Sequence, residues 1–518
     1  MMNEGVKEEH MNGDKTVMPN GNMPQQQPVR QFLPPPQDTM YHTKVKENFN
    51  IYGLATFLFA CVYAFCLYRN PSGIAYLVFV AAGIFYINFC VKKLGIKAKK
   101  GRGFYTVSMI LLAISTFCTD DGFLIFFNKL GIFLLTISML LWIFYNTGNW
   151  SLGKYLEGIF ITCFFVIGEI GTPFANGIWY LKNKLDKKNM KFLYVLLGLL
   201  ISIPFAATVL LLLTSADIVY KNIVDTVLSG FKFGNIFLII WLMFSMFIFA
   251  YGILVVLCKQ PLKEDVKDKS TGEPLIAIVV TTVLSLLYFV FSVVQILYLF
   301  IGKMQLPEGY TYAEYAREGF FQLLAVGILN LILVLVGICF FRPNKVLKAV
   351  LAVMSACTFI MLISSAMRMI IYIQYYYLTS FRILVLWCLA VLFLIFAGVM
   401  VYIFNGKFPL FRYSMVVVTV LYLMISFAHP DYWIAKVNLA GSTESRSEFF
   451  KGDAYDDDKL LGALSADAAP VLLEWEEGGY HEKYEGRLEE RTDDIDIRKF
   501  NVSRFMAKRL LNEKKSGE

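Results

Sequence analysis

Long apolar blocks separated by short polar segments dominate the chain between residues 51 and 428. A membrane-spanning helix needs about 20 mostly apolar residues to cross a hydrocarbon layer of ~30 Å. By this criterion we predict 11 spans, at about 51–68, 72–91, 103–119, 123–145, 192–213, 235–258, 275–301, 319–341, 349–373, 381–404 and 410–428. The pattern therefore predicts an all-α, polytopic transmembrane helix bundle.

One further apolar segment, Leu156–Ala175, contains Glu157 and Glu169 and includes a Gly-Thr-Pro break. If it does not cross and the N-terminus is cytoplasmic, 26 Lys and Arg residues fall on the inner side and six on the outer side. If it crosses, the counts become 17 and 15. Because inner loops of membrane proteins are enriched in Lys and Arg, we interpret this segment as an interfacial or re-entrant helix on the cytoplasmic side. The C-terminus is then extracytoplasmic.

Composition supports a membrane protein and divides the chain into three parts. The 518 residues are 57% hydrophobic, with a mean hydropathy of +0.56 and a net charge of +8. Residues 1–46 form a Pro/Gln-rich tail that we predict to be disordered and cytoplasmic, and residues 47–428 form the transmembrane domain. Residues 429–518 hold 14 basic and 20 acidic residues, and apolar positions at helical spacing predict a small acidic helical domain there.

The distribution of charge and the missing motifs argue against several classes of function. The basic excess lies in the membrane part, where it reports topology, so we expect no nucleic-acid partner. The nine cysteines form no CxxC pair, and the four histidines all lie outside the predicted spans. We therefore expect no metal site and no cofactor. The chain has no P-loop, GxSxG, HExxH or dinucleotide-binding motif, and we lean against an enzyme.

Arg368 is the most unusual candidate residue, because it lies inside an apolar span near its outer end. A charge at membrane depth normally has a partner or a water-filled cavity. Arg368 is therefore either the ligand of an anion at an outward-facing site or a side chain that snorkels to the outer interface.

Other charged or polar residues at outer span ends are candidates for the same site: Glu314, Arg317, Glu318, Gln322 and Asp217. The first three have i, i+3 and i+4 spacing, so they share one helical face that Gln322 extends, unless they form only a local surface ion pair. Asp217 begins an i, i+4, i+8 series typical of an amphipathic helix at the interface.

The adjacent carboxylates Asp120 and Asp121 lie in a predicted outer turn. Membrane glycosyltransferases that use polyprenol donors keep an acidic residue in such a loop as a base or metal ligand. These two residues therefore carry an alternative hypothesis, a polyprenol- or lipid-linked transferase, against the simpler interpretation of a solvated connector.

Four stretches resemble a known family: TYAEYAREGFFQLLAV, LTSADIVY, SSAMRMIIYIQYYYLTSFRILVLW and the closing HPDYWIAKVNLA with DDDKLLGALSADAAPVLL. The chain resembles, from about residue 51 to 473, the bacterial polytopic membrane family catalogued as domain of unknown function 4173, with 4153 as its close relative. The resemblance implies a bacterial inner-membrane protein and brings no established activity.

We thus expect a multi-pass inner-membrane protein that binds or passes an envelope ligand, for sensing, scaffolding or transport. Its expected partners are the lipid bilayer and an envelope lipid, a glycan or another membrane protein. A transporter would also predict internal repeats and helices broken at mid-membrane, and no clear repeat is visible in the sequence.

Overall fold

The computed structural model describes residues 39–70, 72–97, 99–147, 150, 152–184, 218–228, 233–262, 272–297, 319–375, 378–440, 457–475, 480–492 and 496–517, with scattered positions between 195 and 217. Within these ranges every regular element is helical, apart from a single parallel bridge between Gly272 and Phe341. Of the tail predicted to be disordered, residues 1–46, the part up to residue 38 lies outside the described residues.

The helices up to residue 427 are α1 (Met40–Glu47), α2 (Phe49–Leu67), α3 (Ala75–Leu94), α4 (Arg102–Cys118), α5 (Gly122–Phe144), α6 (Leu152–Gly168), α7 (Thr172–Lys184), α8 (Ile218–Leu228), α9 (Phe233–Lys259), α10 (Pro274–Gln295), α11 (Phe320–Phe340), α12 (Lys345–Tyr375), α13 (Ser380–Phe404) and α14 (Leu410–Phe427). The C-terminal helices are α15 (Pro430–Ala440), α16 (Asp457–Leu461), α17 (Ala469–Leu472), α18 (His481–Thr492) and α19 (Val502–Ser516), with 3-10 turns at Ala466–Ala468 and Ile497–Lys499.

Nine of the described helices are long and apolar enough to cross a membrane: α2, α3, α5 and α9 to α14. The shorter apolar helix α4, of 17 residues, corresponds to the predicted span at 103–119. The large hydrophobic side chains on the outside of the bundle, such as Phe85 at 72% exposure, are those that lipid would cover. The chain is a multi-pass membrane protein with an all-α fold, while the predicted span at 192–213 lies mostly outside the described residues.

Three hydrophobic clusters hold the described helices of the bundle. One packs α2 to α6 with α9 and buries large side chains such as Tyr52, Leu141 and Tyr251. The other two join α10 to α14, one around Val334 and one around Phe396. The helices are all similarly apolar, so hydropathy alone does not determine which helix packs against which. Side-chain packing determines these pairings.

A hydrogen-bonded cluster inside the bundle ties α4, α5 and α14 together. The hydroxyls of Ser115 and Ser426 lie 2.6 Å apart, and Ser426 donates to Asn128 Oδ1 at 2.7 Å. Tyr422 donates to the same oxygen at 2.8 Å. Buried polar groups in hydrocarbon must find partners within the protein, so this cluster fixes how the three helices pack.

The helix ends define two opposite faces. On one, the α1 face, Lys44 Nζ donates to Leu94 O at 3.5 Å, and Thr39 donates to Cys258 O. The ends of α3 and α9 therefore meet α1. On the other, the C-terminal face, Ile74 N donates to Phe500 O at 2.9 Å, so the start of α3 meets the C-terminal helices.

The α6–α7 pair is bent by 57° and begins and ends on the α1 face. Glu169, just after α6, forms an ion pair of 2.7 Å with Lys259 at the end of α9. Near the end of α7, Lys46 Nζ of α1 lies 4.9 Å from the centroid of the Trp179 ring. A bent pair of this kind is either a broken span or a re-entrant loop, so the interfacial or re-entrant helix expected for residues 156–175 stays a prediction.

The C-terminal helices pack around their own apolar cluster, which includes Ile434, Leu472, Tyr484 and Leu511. They are joined to the membrane helices by specific polar contacts. Asn438 accepts from Leu378 N at 2.8 Å and donates to Leu378 O at 3.0 Å, which fastens α15 to the connection between α12 and α13. The helical character predicted for this region is present, and the division at residue 428 stays a prediction.

Candidate functional site

Arg368 lies on α12, near the C-terminal face, and is only 8% exposed. Its Nη2 donates to Gln295 Oε1 at 3.2 Å, and Ser364 donates to the same oxygen at 2.6 Å. Gln295 is itself buried and is the last residue of α10. The guanidinium is thus held inside the bundle, and the expectation that it snorkels outward does not describe this arrangement.

The start of α11 also contacts this guanidinium. Gly319, directly before α11, has φ +100°, and a Cβ built on it would lie 2.8 Å from Arg368 Nη1. On the next turn, Ser365 donates to Phe320 O at 3.2 Å. Glycine meets both requirements here, the left-handed backbone and the close approach. Arg368 therefore contacts both helix ends that flank the connection between α10 and α11.

A buried guanidinium is a strong anion ligand, because it stays charged and offers several donors in one plane. Gln295, which accepts from it, is a neutral side chain. In low-dielectric surroundings the charge acts strongly on any phosphate or carboxylate that approaches. This arrangement can bind and orient an anion.

The other residues predicted for this site are placed differently. Glu314, Arg317 and Glu318 lie outside the described residues. Gln322 is an exposed residue of α11. Asp217 is exposed and accepts from Tyr220 N at 2.7 Å, so it caps the first turn of α8. Of these candidates, Arg368 is the one whose side chain the structure describes as buried.

Asp120 belongs to a different site, an ion-paired junction under the C-terminal helices. Its carboxylate accepts from Arg491 Nη1 at 2.8 Å and from Arg504 Nε at 2.6 Å. Its backbone N–H donates to Asp467 Oδ1 at 3.0 Å. The side chain of Asp120 is 1% exposed, so two cations from α18 and α19 offset its desolvation. We call Asp120, Asp121, Asp431 and Asp467 the acidic junction.

Asp467 is the most heavily hydrogen-bonded member of the acidic junction. Burial alone raises its pKa, but hydrogen bonds from His429, Ser503, Thr119 and the Asp120 N–H outweigh it and hold the pKa of Asp467 below its usual value. His429 Nδ1 lies 3.3 Å from Asp467 Oδ2, and this hydrogen bond raises the pKa of His429. The pair is therefore stabilised in its charged form.

Asp121 and Asp431 lie in the same junction and shift the other way. Burial, followed by repulsion from Asp431, raises the pKa of Asp121 to about 6. Asp121 caps α5 by accepting from Phe123 N at 2.8 Å. Burial also raises the pKa of Asp431, although Ser465 N donates to its Oδ2 at 2.8 Å. The junction thus combines Asp467, whose pKa is lowered, with Asp121 and Asp431, whose pKa values are raised.

Sequence reasoning singled out Asp120 and Asp121 but not the groups that bind them. Asp467 lies in one of the stretches that carry the family resemblance, and that was its only signal. Arg491 and Arg504 lie in ordinary amphipathic helices and gave none. Among the described residues, no group of three or more His, Cys, Asp or Glu side chains could hold a metal ion.

Comparison with known proteins gives one match. A family model described as "Domain of unknown function (DUF4153)" matches residues 106–475, most of the chain. It is the close relative named by the sequence resemblance. The matched range includes Arg368 and the four carboxylates of the acidic junction and ends before Arg491 and Arg504. No curated protein and no solved structure gives a significant match.

Proposed function

Because the chain belongs to the DUF4153 family, a family without a known activity, we propose its function from geometry: a non-enzymatic membrane protein that binds the anionic group of an envelope ligand at Arg368. The single observation that carries this proposal is the buried guanidinium, which donates to Gln295 Oε1 beside the start of α11, while Ser364 donates to the same oxygen. Binding there would serve sensing, scaffolding or transport.

The proposed orientation is N-terminus cytoplasmic and C-terminal helices extracytoplasmic, in the inner membrane of a bacterium. The excess of Lys and Arg on the α1 face supports it. The bundle supports the predicted 11 crossings as well. α7 ends on the α1 face. α9 also ends on the α1 face, so it starts on the opposite face. The connection between α7 and α9, which contains the predicted span 192–213, therefore joins opposite faces. Arg368 then faces the extracytoplasmic side.

The ligand class follows from the chemistry of the guanidinium. A phosphate or carboxylate suits a planar, permanently charged donor better than a neutral group does. An envelope lipid, a glycan that carries phosphate, or an acidic segment of another membrane protein each supplies such a group. Glu314, Arg317 and Glu318 stay proposed contributors to this site, as do Gln322 and Asp217.

The alternative is a membrane-embedded polyprenol- or lipid-linked transferase that uses Asp120 or Asp121. A catalytic base or metal ligand must be reachable by substrate. Asp120 is instead buried and paired with Arg491 and Arg504, and Asp121 caps α5. These contacts favour a structural role for both carboxylates, and the binding function is therefore the better supported of the two.

The test introduces the Arg368→Gln substitution in the native host. Arg69→Gln is the matched control, because Arg69 is an exposed arginine near the same face. We expect Arg368→Gln, at normal protein abundance, to reproduce the envelope-stress sensitivity of a deletion strain, and Arg69→Gln to behave as wild type. Lipid and glycan anions that copurify with the wild type should be lost from Arg368→Gln. A combined Arg368→Gln and Glu318→Gln strain that matches wild type in every envelope assay in which the deletion strain fails would refute the proposal.

A further inference from the structure

Cationic side chains lie beside Trp142 on the α1 face, opposite the Arg368 site. Lys99 Nζ donates to the carbonyl oxygens of Trp142 at 3.1 Å and Tyr145 at 2.8 Å. The guanidinium carbon of Arg412 lies 4.2 Å from the centroid of the Trp142 ring. Residues from two separate parts of the chain thus bring positive charge to one place.

Arg102 is the third cation of this cluster. It follows Gly101, where an added Cβ would lie 4.0 Å from Trp142 Cζ2. Gly101 has φ +96° and supplies no side-chain cap to α4. The first N–H groups of α4 and the positive end of its dipole therefore lie beside the arginine, which adds to the attraction for an anion.

Several hydrogen-bond donors of the cluster lack acceptors among the described residues, whereas Arg412 also bonds to the side chain of Tyr155. Within the described parts of the chain, Arg102 Nε and Nη2 are buried and have no acceptor, and neither has Trp142 Nε1. The two carbonyl oxygens at this place already accept from Lys99. Leaving buried donors without acceptors costs free energy, and an acceptor-rich ligand would remove that cost.

Acidic side chains do not neutralise the arginines. Among the described residues, Arg102 and Arg412 form no ion pair. The nearby acids of the α1 face are engaged elsewhere: Glu157 with Lys154 at 3.3 Å, and Glu169 with Lys259 at 2.7 Å. Arg412 is exposed and Arg102 is partly exposed, so the cluster can be reached from the surface of the bundle.

We propose that Arg102, Arg412 and Trp142 form a binding site for a phosphate group at the membrane interface of the α1 face. A phosphate offers several acceptor oxygens and negative charge, which match the guanidinium donors and the indole N–H. Basic pockets between transmembrane helices bind phospholipid head groups in this way. Tryptophan is enriched at the membrane–water interface, where these head groups lie. The phosphate comes from an anionic phospholipid of the adjoining leaflet or from a soluble phosphate compound.

The experiment compares the full-length protein with an Arg102→Gln, Arg412→Gln double variant. The matched control is Lys345→Gln with Lys348→Gln, which removes two exposed cations from the start of α12 on the same face. Thermal unfolding is measured in nanodiscs of phosphatidylglycerol and of phosphatidylcholine, and in detergent with and without inorganic phosphate. Native mass spectrometry counts the phosphatidylglycerol molecules retained after release from the nanodisc.

For a lipid site, we expect phosphatidylglycerol to raise the unfolding midpoint of the wild type and the control by a few degrees and to have a smaller effect on the double variant. The double variant should also retain at least one lipid fewer. For a soluble ligand, inorganic phosphate in detergent should give the stabilisation instead, and again not in the double variant. The proposal would be overturned if phosphatidylglycerol and inorganic phosphate each changed the unfolding midpoint of the double variant as much as that of the wild type.

A single Arg102→Gln variant separates loss of binding from loss of folding. Arg102 Nε and Nη2 have no acceptor among the described residues, so replacing Arg102 should not lower the unfolding midpoint in phosphatidylcholine nanodiscs. In phosphatidylglycerol it should lower the midpoint relative to wild type. A fall of the same size in both lipids would count against the site. The Arg368→Gln variant should keep the full Arg102-dependent effect, so the two sites are judged separately.

Discussion

Asp121 and Asp467 are both buried beneath the C-terminal helices, yet their pKa values move in opposite directions. Asp467 accepts hydrogen bonds from the backbone N–H of Asp120 at 3.0 Å and from the side chain of His429, which favour its charged form. Asp121 accepts mainly from the helix it caps and feels two neighbouring carboxylates. Donors and neighbours, rather than burial alone, therefore decide which acid of the junction stays ionised.

This difference predicts a pH effect for Asp121→Asn. The pKa of Asp121 is raised from 3.8 to about 6 in the folded protein, so the folded state holds a proton that the unfolded state loses. The wild type should lose stability as pH rises from about 4 to 6, by up to ~3 kcal/mol. Asn keeps the cap on α5 and has no charge. The variant should therefore be more stable than wild type at pH 7, with little difference at pH 4.

The measurement is the unfolding midpoint of both proteins from pH 4 to pH 8. Groups facing Asp121 also titrate: the pKa of Asp431 is raised, that of Asp467 lowered and that of His429 raised. The comparison of Asp121→Asn with wild type isolates the one carboxyl from them. Parallel pH profiles for the two proteins would contradict the assigned shift.

At the scale of elements, the C-terminal helices are attached to the bundle by backbone contacts as much as by charge. Asn70 donates to Arg498 O at 2.7 Å, and Ile74 N donates to Phe500 O at 2.9 Å. Between these residues, Gly73 leaves no room for a side chain, since an added Cβ would lie 2.1 Å from Arg498 O. The 3-10 turn at Ile497–Lys499 therefore rests directly on the connection between α2 and α3.

We predict that Gly73→Ala loosens this attachment. The clash is with backbone atoms, so the turn must move and both hydrogen bonds weaken, at a cost of about 1–3 kcal/mol. Limited proteolysis should cut the C-terminal helices faster than in wild type. Gly486→Ala is the control: it lies within α18, nothing is within 4 Å of its added Cβ, and alanine should stabilise that helix by about 0.5–1 kcal/mol. Equal proteolysis rates for Gly73→Ala and wild type would argue against a tight contact.

At the scale of the whole molecule, the two faces of the bundle differ in chemistry. The C-terminal face carries the buried Arg368 and the acidic junction, covered by helices α15 to α19. The α1 face carries the cations around Trp142 and the bent α6–α7 pair. The acidic junction and the cations around Trp142 lie near opposite ends of α4 and α14, whereas Arg368 lies on α12 and contacts the ends of α10 and α11.

The proposed orientation predicts which end of the chain is accessible from outside. A tag at the C-terminus should be removed by protease added to spheroplasts, whereas a tag at the N-terminus should be protected until the membrane is broken. The excess of Lys and Arg on the α1 face is the reason. Protection of the C-terminal tag would reverse the orientation and move the Arg368 site to the cytoplasm.

The sequence by itself determined the fold class, the approximate spans, the helical C-terminal region and Arg368 as an unusual charge. These are local properties, since about 20 consecutive apolar residues suffice for a span and one charge within them stands out. Hydropathy could not foresee how these elements meet. Asp120 binds Arg491 and Arg504, which lie 371 and 384 residues further along the chain.

Only the tertiary structure showed what the acidic turn and Arg368 contact. Asp120 resembles a solvent-exposed carboxylate in the sequence, and it became buried because two cations of α18 and α19 fold over it. Gln295 was not singled out, because a glutamine at the end of an apolar helix is unremarkable until Arg368 is seen beside it. Contacts between distant segments depend on packing in three dimensions, and no local pattern encodes them.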